Sequence, residues 1–393
     1  MRRFVFIFLG LVTACDSSGT LAGAPDASSD ATAATDAGVV DPCADAGDVP
    51  PTLDCTGLYA NFAAKVIAPN AVPYTPSTPL WSDGAQKARW VELPPGTQID
   101  TSDSNEWTFP VGTKFFKEFR VGGHRVETRM FSKTNPGFWQ YGTYAWSADE
   151  SSATLNAGGP VPLGDGGVWT IPKNTDCDLC HRGRKDDILG FEEVGLGLPG
   201  AQGLTLAQLQ AQGLLTTPPA SVSLTIGDDG TGLDGLALGW LHVNCGVSCH
   251  NANGAADGSG AGMILRLDPT QLDGHPPDPA TWSILATTVN VPCKSGSVAG
   301  KPRLVPGDPE ASEIYELPST RQMPPVATSQ VDTPDVTVVH AWIAALGQAD
   351  GGPPSTDAGT EGGGDAAADG PGPAGDEGGP DGEGPSDGGL DGD

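Results

Sequence analysis

The chain has 393 residues, with 49 Asp and Glu against 20 Lys and Arg, for a net charge of −29 at pH 7. Much of that charge sits at the ends: without the seven acids of 16–50, the eleven of 351–393, and Arg2 and Arg3, 31 acidic groups face 18 basic ones, a net of −13. A body this acidic repels phosphate backbones, which argues against nucleic acid as a partner, and about 300 residues leave room for two domains.

Met1-Arg2-Arg3 is followed by an apolar run from Phe4 to Val12, too short to span a bilayer, and then by Val12-Thr13-Ala14 leading into Cys15. A basic start, a short apolar core and small residues describe an export signal over residues 1–14. Cys15 directly after the small residues resembles the lipobox of bacterial lipoproteins. That resemblance implies cleavage before Cys15, lipid on its thiol, and residence in the cell envelope, on the periplasmic or outer-surface side of a bacterial membrane. Residues 15–50 are rich in Ala, Asp, Ser and Thr, and 351–393 in Gly, Asp, Ala, Pro and Glu; neither stretch holds a Lys or Arg. Without apolar periodicity they cannot bury enough surface to offset their ordering entropy, so a disordered tether and a disordered acidic tail are expected.

Cys43 and Cys55 flank a short Pro/Asp-rich loop and are expected to form a disulfide, worth about 2–3 kcal/mol if closing the loop acts through chain entropy. Residues 51–172 read as a β-rich domain. Lys87 to Leu93 alternates and stops at Pro94-Pro95-Gly96; Trp107 to Pro110, Thr113 to Val121, Arg125 to Phe131, Tyr141 to Trp146 and Val168 to Ile171 follow, with turn residues between. The pattern predicts an antiparallel sandwich or barrel. From 173 to 350 the periodicity turns helical, at Leu204 to Leu215, Gly235 to Val243 and Asp335 to Leu346. Long Gly/Pro loops separate these helices, and loops of that length need a surface to pack on. The expected class is α+β and multidomain: an antiparallel β-rich N-terminal domain, then a mainly α, loop-rich one.

Cys177-Asp178-Leu179-Cys180-His181 is the most specific signal in the chain. Thiols three positions apart can add to the two vinyl groups on one edge of a haem, and the next residue places an imidazole beneath the iron; C-x-x-C-H is the pattern of c-type haem attachment. A zinc site would need two further ligands close by, and a thioredoxin-like pair a βαβ context; the sequence offers neither. Cys245-Gly246-Val247-Ser248-Cys249-His250 is similar but one residue longer, so the extra residue must bulge, with Gly246 supplying freedom. Two readings stay open there: two thioethers from Cys245 and Cys249, or one from Cys249 with Cys245 paired to Cys293. Met323, stiffened by Pro324 and Pro325, is the expected sixth ligand opposite His250. The first haem has no evident sixth ligand: Met130, Met263, His124, His242, His275 and His340 read as structural or surface residues, and a five-coordinate iron would be open to a small molecule.

The half from about 173 to 348 resembles bacterial class I c-type cytochrome domains, in Leu241-His242-Val243-Asn244-Cys245, Cys249-His250-Asn251, Val305-Pro306-Gly307-Asp308-Pro309, Ser312, Met323-Pro324-Pro325 and Ala341-Trp342-Ile343. The preceding half resembles the β-rich domain of a largely uncharacterised family of bacterial cytochrome lipoproteins, in Pro79 to Ala85, Lys87 to Trp90, Phe109 to Thr113 and Glu127-Thr128-Arg129. The resemblance implies one or two covalent haems c, held by Cys177, Cys180 and His181 at one site and by Cys245, Cys249, His250 and Met323 at the other. It implies single-electron transfer rather than catalysis, a protein redox partner to which the acidic body would suit a basic surface, and a membrane reached through the N-terminal lipid. The competing expectations are a dihaem redox enzyme, a peroxidase or small-substrate oxidase with an open first haem, and a surface binding module without haem, stabilised by disulfides.

Overall fold

The computed structural model describes residues 43–44, 47–163, 166–272, 282–325 and 328–349. The signal segment 1–14, Cys15, most of the 15–50 tether, His275 and the 351–393 tail lie outside them. The described strands are β1 (Tyr59–Asn61), β2 (Val66–Ile67), β3 (Val72–Thr75), β4 (Gln86–Glu92), β5 (Lys114–Val121), β6 (His124–Asn135), β7 (Phe138–Trp146), β8 (Ala153–Leu155), β9 (Gly159–Pro162), β10 (Val168–Ile171) and β11 (Gln202–Gly203). The helices are α1 (Asn174–His181), α2 (Glu193–Gly197), α3 (Leu206–Ala211), α4 (Asp234–Leu241), α5 (Ser283–Ala286), α6 (Glu313–Ser319) and α7 (Thr333–Ala349). The fold is therefore mixed α+β. No helix among the described residues is long and apolar enough to cross a membrane.

The chain divides into two compact units. The first is built on one seven-stranded antiparallel sheet in the order β11-β3-β4-β5-β6-β7-β8. Two-residue periodicity splits its core. Val91, Phe115 and Phe131 stand side by side on one face, and Trp90, Phe116 and Met130 on the other. In place of the predicted sandwich or barrel, the described residues form this one large sheet and two two-stranded ones. What covers the first face is the segment after the sheet, through Ile188, Phe191, Leu196, Leu204, Leu206, Leu209 and Leu215; Leu53, Leu58, Tyr59 and Ala71 cover the second. Trp107 to Pro110 makes no strand beyond a bridge from Asp100 to Thr108, and Trp107 and Phe109 serve the core instead. Cys43 and Cys55 form a disulfide, with Cα atoms 5.2 Å apart, beside this unit's first 3-10 turn.

The two compact units part at 222/223, 50 residues beyond the change of periodicity at 172/173. The reason is burial: each Leu or Phe of 188–215 that leaves water against the sheet contributes roughly 1.5–3 kcal/mol, which a short loop-rich segment could not recover by itself. The first cysteine motif consequently falls in the sheet unit and the second motif in the other. Thr78–Asp83 groups with the second unit.

In that second unit α4 packs on α7. Trp240 and Trp342 are buried, and their indole N–H groups donate to Asp332 (2.9 Å) and Asp229 (2.7 Å). Trp81 N–H donates to Asn244 Oδ1 (2.7 Å), and Asp83 accepts from Ser329 and Gln330 backbone N–H groups (2.8 and 2.9 Å), so the inserted segment ties the end of the motif helix to the approach to α7.

Candidate functional site

Cys177, Cys180 and His181 all lie on α1, whose first turn is closed by Asp176 accepting from the Lys173 N–H (2.9 Å). Residues three and four apart share a helix face, so the two thiols and the imidazole emerge together. Neither thiol is in a disulfide, and both are half-buried. The His181 ring stacks on Phe131, with centroids 4.5 Å apart, and its Nδ1–H donates to the Asp187 carbonyl. That bond leaves the lone pair on Nε2, which no hydrogen bond engages among the described residues. Burial brings the imidazole down to about 4, against the pull of the Asp187 carbonyl, and the Lys117 and Arg129 cations push the same way as burial. A neutral ring oriented through its other nitrogen is what a metal-ligating histidine requires.

The Asp187 carbonyl is held from the sheet. Asp187 takes a left-handed backbone (φ 57°), which aspartate tolerates. Next to it, the buried Asp186 carboxylate accepts from Lys133 Nζ (2.7 and 2.6 Å), Trp139 Nε1 (3.0 Å) and Phe109 N–H (2.6 Å). Burial, then the Asp186 and Asp178 charges, lift the Asp187 carboxyl to about 6, with Lys133 opposing. Burial also raises the Cys177 thiol, with Arg129 opposing.

The second motif follows α4 through a π-helical turn, His242–Gly246. Val247 N–H donates to the His242 carbonyl and His250 N–H to the Cys245 carbonyl, both five residues back and both at 2.8 Å. This wider winding carries a residue four positions on towards the azimuth that a residue three on holds in an α-helix, so it takes up the extra residue between Cys245 and Cys249. Gly246 is needed here for a reason other than flexibility: a Cβ would run into the Leu265–Arg266 backbone. At Gly258 a Cβ would come within 2.8 Å of the His250 ring. Burial raises the Cys245 thiol to about 12, with Cys249 adding to it. Cys245 and Cys293 are not joined. His250 Nδ1 is buried without a hydrogen-bond partner, and burial, then the Arg303 cation, bring the ring to about 4. Met323 follows α6, where its N–H donates to the Leu317 carbonyl (3.2 Å), and its side chain is 36% exposed.

Both donor sets fit a covalent haem in their chemistry: paired thiols outside disulfides beside a half-buried imidazole that its surroundings keep neutral. The two sets belong to different units of the chain, as do Met323 and the first set. Of the other methionines and histidines, Met130 is in the core on the sheet face away from Phe131, His242 Nδ1 accepts from Leu267 N–H (3.0 Å), and His124 and His340 meet Glu150 (3.6 Å) and Glu310 (2.9 Å). The acidic group Asp228, Asp229 and Asp234 sits at a turn, where Asp228 and Asp229 accept from Gly230 N–H (2.8 Å) and Thr231 N–H (3.1 Å). Sequence reasoning missed Phe131, the Asp187 carbonyl and Asp186, none of which carries a motif. It also missed Arg89, Lys117 and Arg129, for which the alternation of charged with apolar residues along β4 to β6 was the available signal. No family model matches this chain, and neither a curated protein nor a solved structure matches it.

Proposed function

We propose that this protein is an exported, lipid-anchored c-type cytochrome that carries covalent haem and passes single electrons to a protein partner in the cell envelope. The observation that carries the reading is His181: a neutral imidazole, tied at Nδ1 to a backbone carbonyl, one residue after a pair of thiols that share its helix face. A bound haem would supply an iron that cycles between two oxidation states.

The chain's own residues do the rest. Cys177 and Cys180 would hold the haem through their thiols, and His181 would offer Nε2 to its iron. The carbonyl of Asp187, fixed through Asp186, Lys133 and Trp139, keeps that ring oriented and strengthens it as a donor. At the second site Cys245 and Cys249 would supply thiols from the widened turn, His250 the imidazole, and Met323 a thioether from its loop. The Cys15 lipid would hold the body at a membrane surface, with the acidic body offered to a basic partner.

The test is an intact-mass and pyridine haemochrome measurement on the mature chain, made in a host with cytochrome-assembly machinery. Added mass of one or two haems and a c-type spectrum are expected. Colourless protein of unmodified mass would remove the proposal. Resting spectra decide the enzymatic alternative: a high-spin haem at the first motif favours it, and wholly low-spin spectra exclude it.

A further inference from the structure

The sheet face that carries Phe131 also carries a row of cations. Arg89 is the cross-strand neighbour of Lys117, and Lys117 of Arg129, on β4, β5 and β6. Like charges placed directly opposite one another destabilise a sheet; Arg89 is buried, at 7% exposed, and Lys117 and Arg129 are half-buried. Lys117 and Arg129 both lie over the buried Phe119 ring, at 5.2 and 4.5 Å. One carboxylate, Glu127, pairs with Arg129. Among the described residues, Arg89 and Lys117 form no hydrogen bond or ion pair with a carboxylate.

The reverse face of the same strands is handled differently. There the buried Glu118 takes Arg120 (2.6 Å), Arg125 (2.9 Å) and the Tyr59 hydroxyl (2.9 Å), and Arg125 also meets Glu150 (2.6 Å). Buried charge without a partner is costly, so the unmatched row points to an anionic occupant. Three basic side chains in this row face one carboxylate, Glu127.

We infer that Arg89 and Lys117, with Arg129 beside them, seat the two propionate carboxylates of a haem held at Cys177, Cys180 and His181. The inference rests on the haem reading above. Its placement follows from the strands: Arg129 interacts electrostatically with Cys177 and Cys180, and Lys117 and Arg89 stand one and two strands further on, about 5 Å per strand. Thioethers and propionates leave opposite edges of the porphyrin, so the cations farther along the row are the ones the carboxylates meet. The same row explains why Lys117 is held well below its ordinary value, first by burial and then by Arg89, Lys87 and Arg129.

The experiment compares wild-type full chain with Lys117→Met and with Arg89→Gln, each purified with haem attached and, separately, from cells without cytochrome-assembly machinery. With haem, both variants are expected to keep the wild-type haem count by mass, to melt lower, and to show a lowered midpoint potential for one haem and an unchanged potential for any second. Without haem, Lys117→Met is expected to melt higher than wild type, because it removes a half-buried amine whose charged form burial and the neighbouring cations disfavour. Unchanged potentials in the loaded variants, or the same direction of melting shift with and without haem, would overturn the inference while leaving the haem reading intact. A wild-type chain that carries no haem at Cys177 and Cys180 overturns both. Should a haem-free chain not fold, the potentials of the loaded variants decide.

Discussion

The two cysteine–histidine motifs put the same residue types to work in different local structures. The first is a regular α-helical turn laid on a sheet, and the support for its imidazole comes from strands some 50 residues earlier: Phe131 beneath the ring, and Lys133 and Trp139 on the Asp186 carboxylate. The second is a π-helical turn braced locally, by Asn244, by the Leu265–Arg266 backbone and by Asn251, whose side chain donates to the Gly246 and Val247 carbonyls (3.0 and 3.1 Å). The histidine of the first has its Nδ1 tied; that of the second has none. A short motif therefore specifies which donors are present, while the neighbourhood decides how tightly they are oriented.

Breaking each motif separately tests the comparison most directly. Cys177→Ala with Cys180→Ala should remove one haem equivalent by mass and leave the other, and Cys245→Ala with Cys249→Ala should do the converse. If one pair of substitutions removes all haem, only one motif is loaded. Cys249→Ala alone, against Cys245→Ala alone, separates two thioethers from one at the longer motif.

Next in size is Asp186→Ala, which strands the buried Lys133 ammonium. Loss of one partner of a buried pair costs about 3–5 kcal/mol, read as a lower urea midpoint of the sheet unit. In a chain loaded as proposed, the spectrum of a haem at Cys177 and Cys180 should also lose definition, and that of any haem at the second motif should not change. An Asp186→Ala chain as stable as wild type would show that this network does not hold the Asp187 carbonyl.

A pH series sharpens the likeness between the sites. In haem-free chain both imidazoles have folded values near 4 against an unfolded value near 6.5. Between those limits the unfolded chain binds more protons, so stability should rise with pH from about 4 to 6.5, by up to roughly 2–3 kcal/mol per histidine. Asp187 works against this at the first site. Its folded value is raised to about 6, so its contribution is present below the unfolded value and lost as pH rises towards 6. Chemical denaturation of His181→Gln and His250→Gln should each flatten the rise; a slope unchanged in both would mean that neither ring is buried neutral.

The smallest effect is expected from Gly246→Ala. Its methyl group meets the Leu265–Arg266 backbone, and overpacking of this kind costs about 1–3 kcal/mol. The melting of the second unit should fall with no change in the first haem's spectrum.

Much of the organisation was legible before any coordinates. Alternation placed β4 to β7 and β10 close to their observed bounds, and 3.6-residue periodicity found α3, α4 and α7, because local periodicity follows from backbone geometry alone. The donor residues were legible for the same reason: a C-x-x-C-H spacing is a local property of one helical turn. The boundary at 222/223 was not, since it depends on which apolar face the 188–215 segment covers. Nor was the excursion of Thr78–Asp83, whose partners at Asn244, Ser329 and Gln330 are more than 160 residues away.

What the linear sequence determined by itself is the chemistry on offer: paired thiols, adjacent imidazoles, and the periods of helix and strand. Only the tertiary structure decided that Arg89, Lys117 and Arg129 form one row, that this row shares a face with Phe131, and that the face is covered. Alternation says that two residues of a strand share a side. Strand register and the burial of non-local apolar surface decide which side is inside, and both depend on partners far away along the chain.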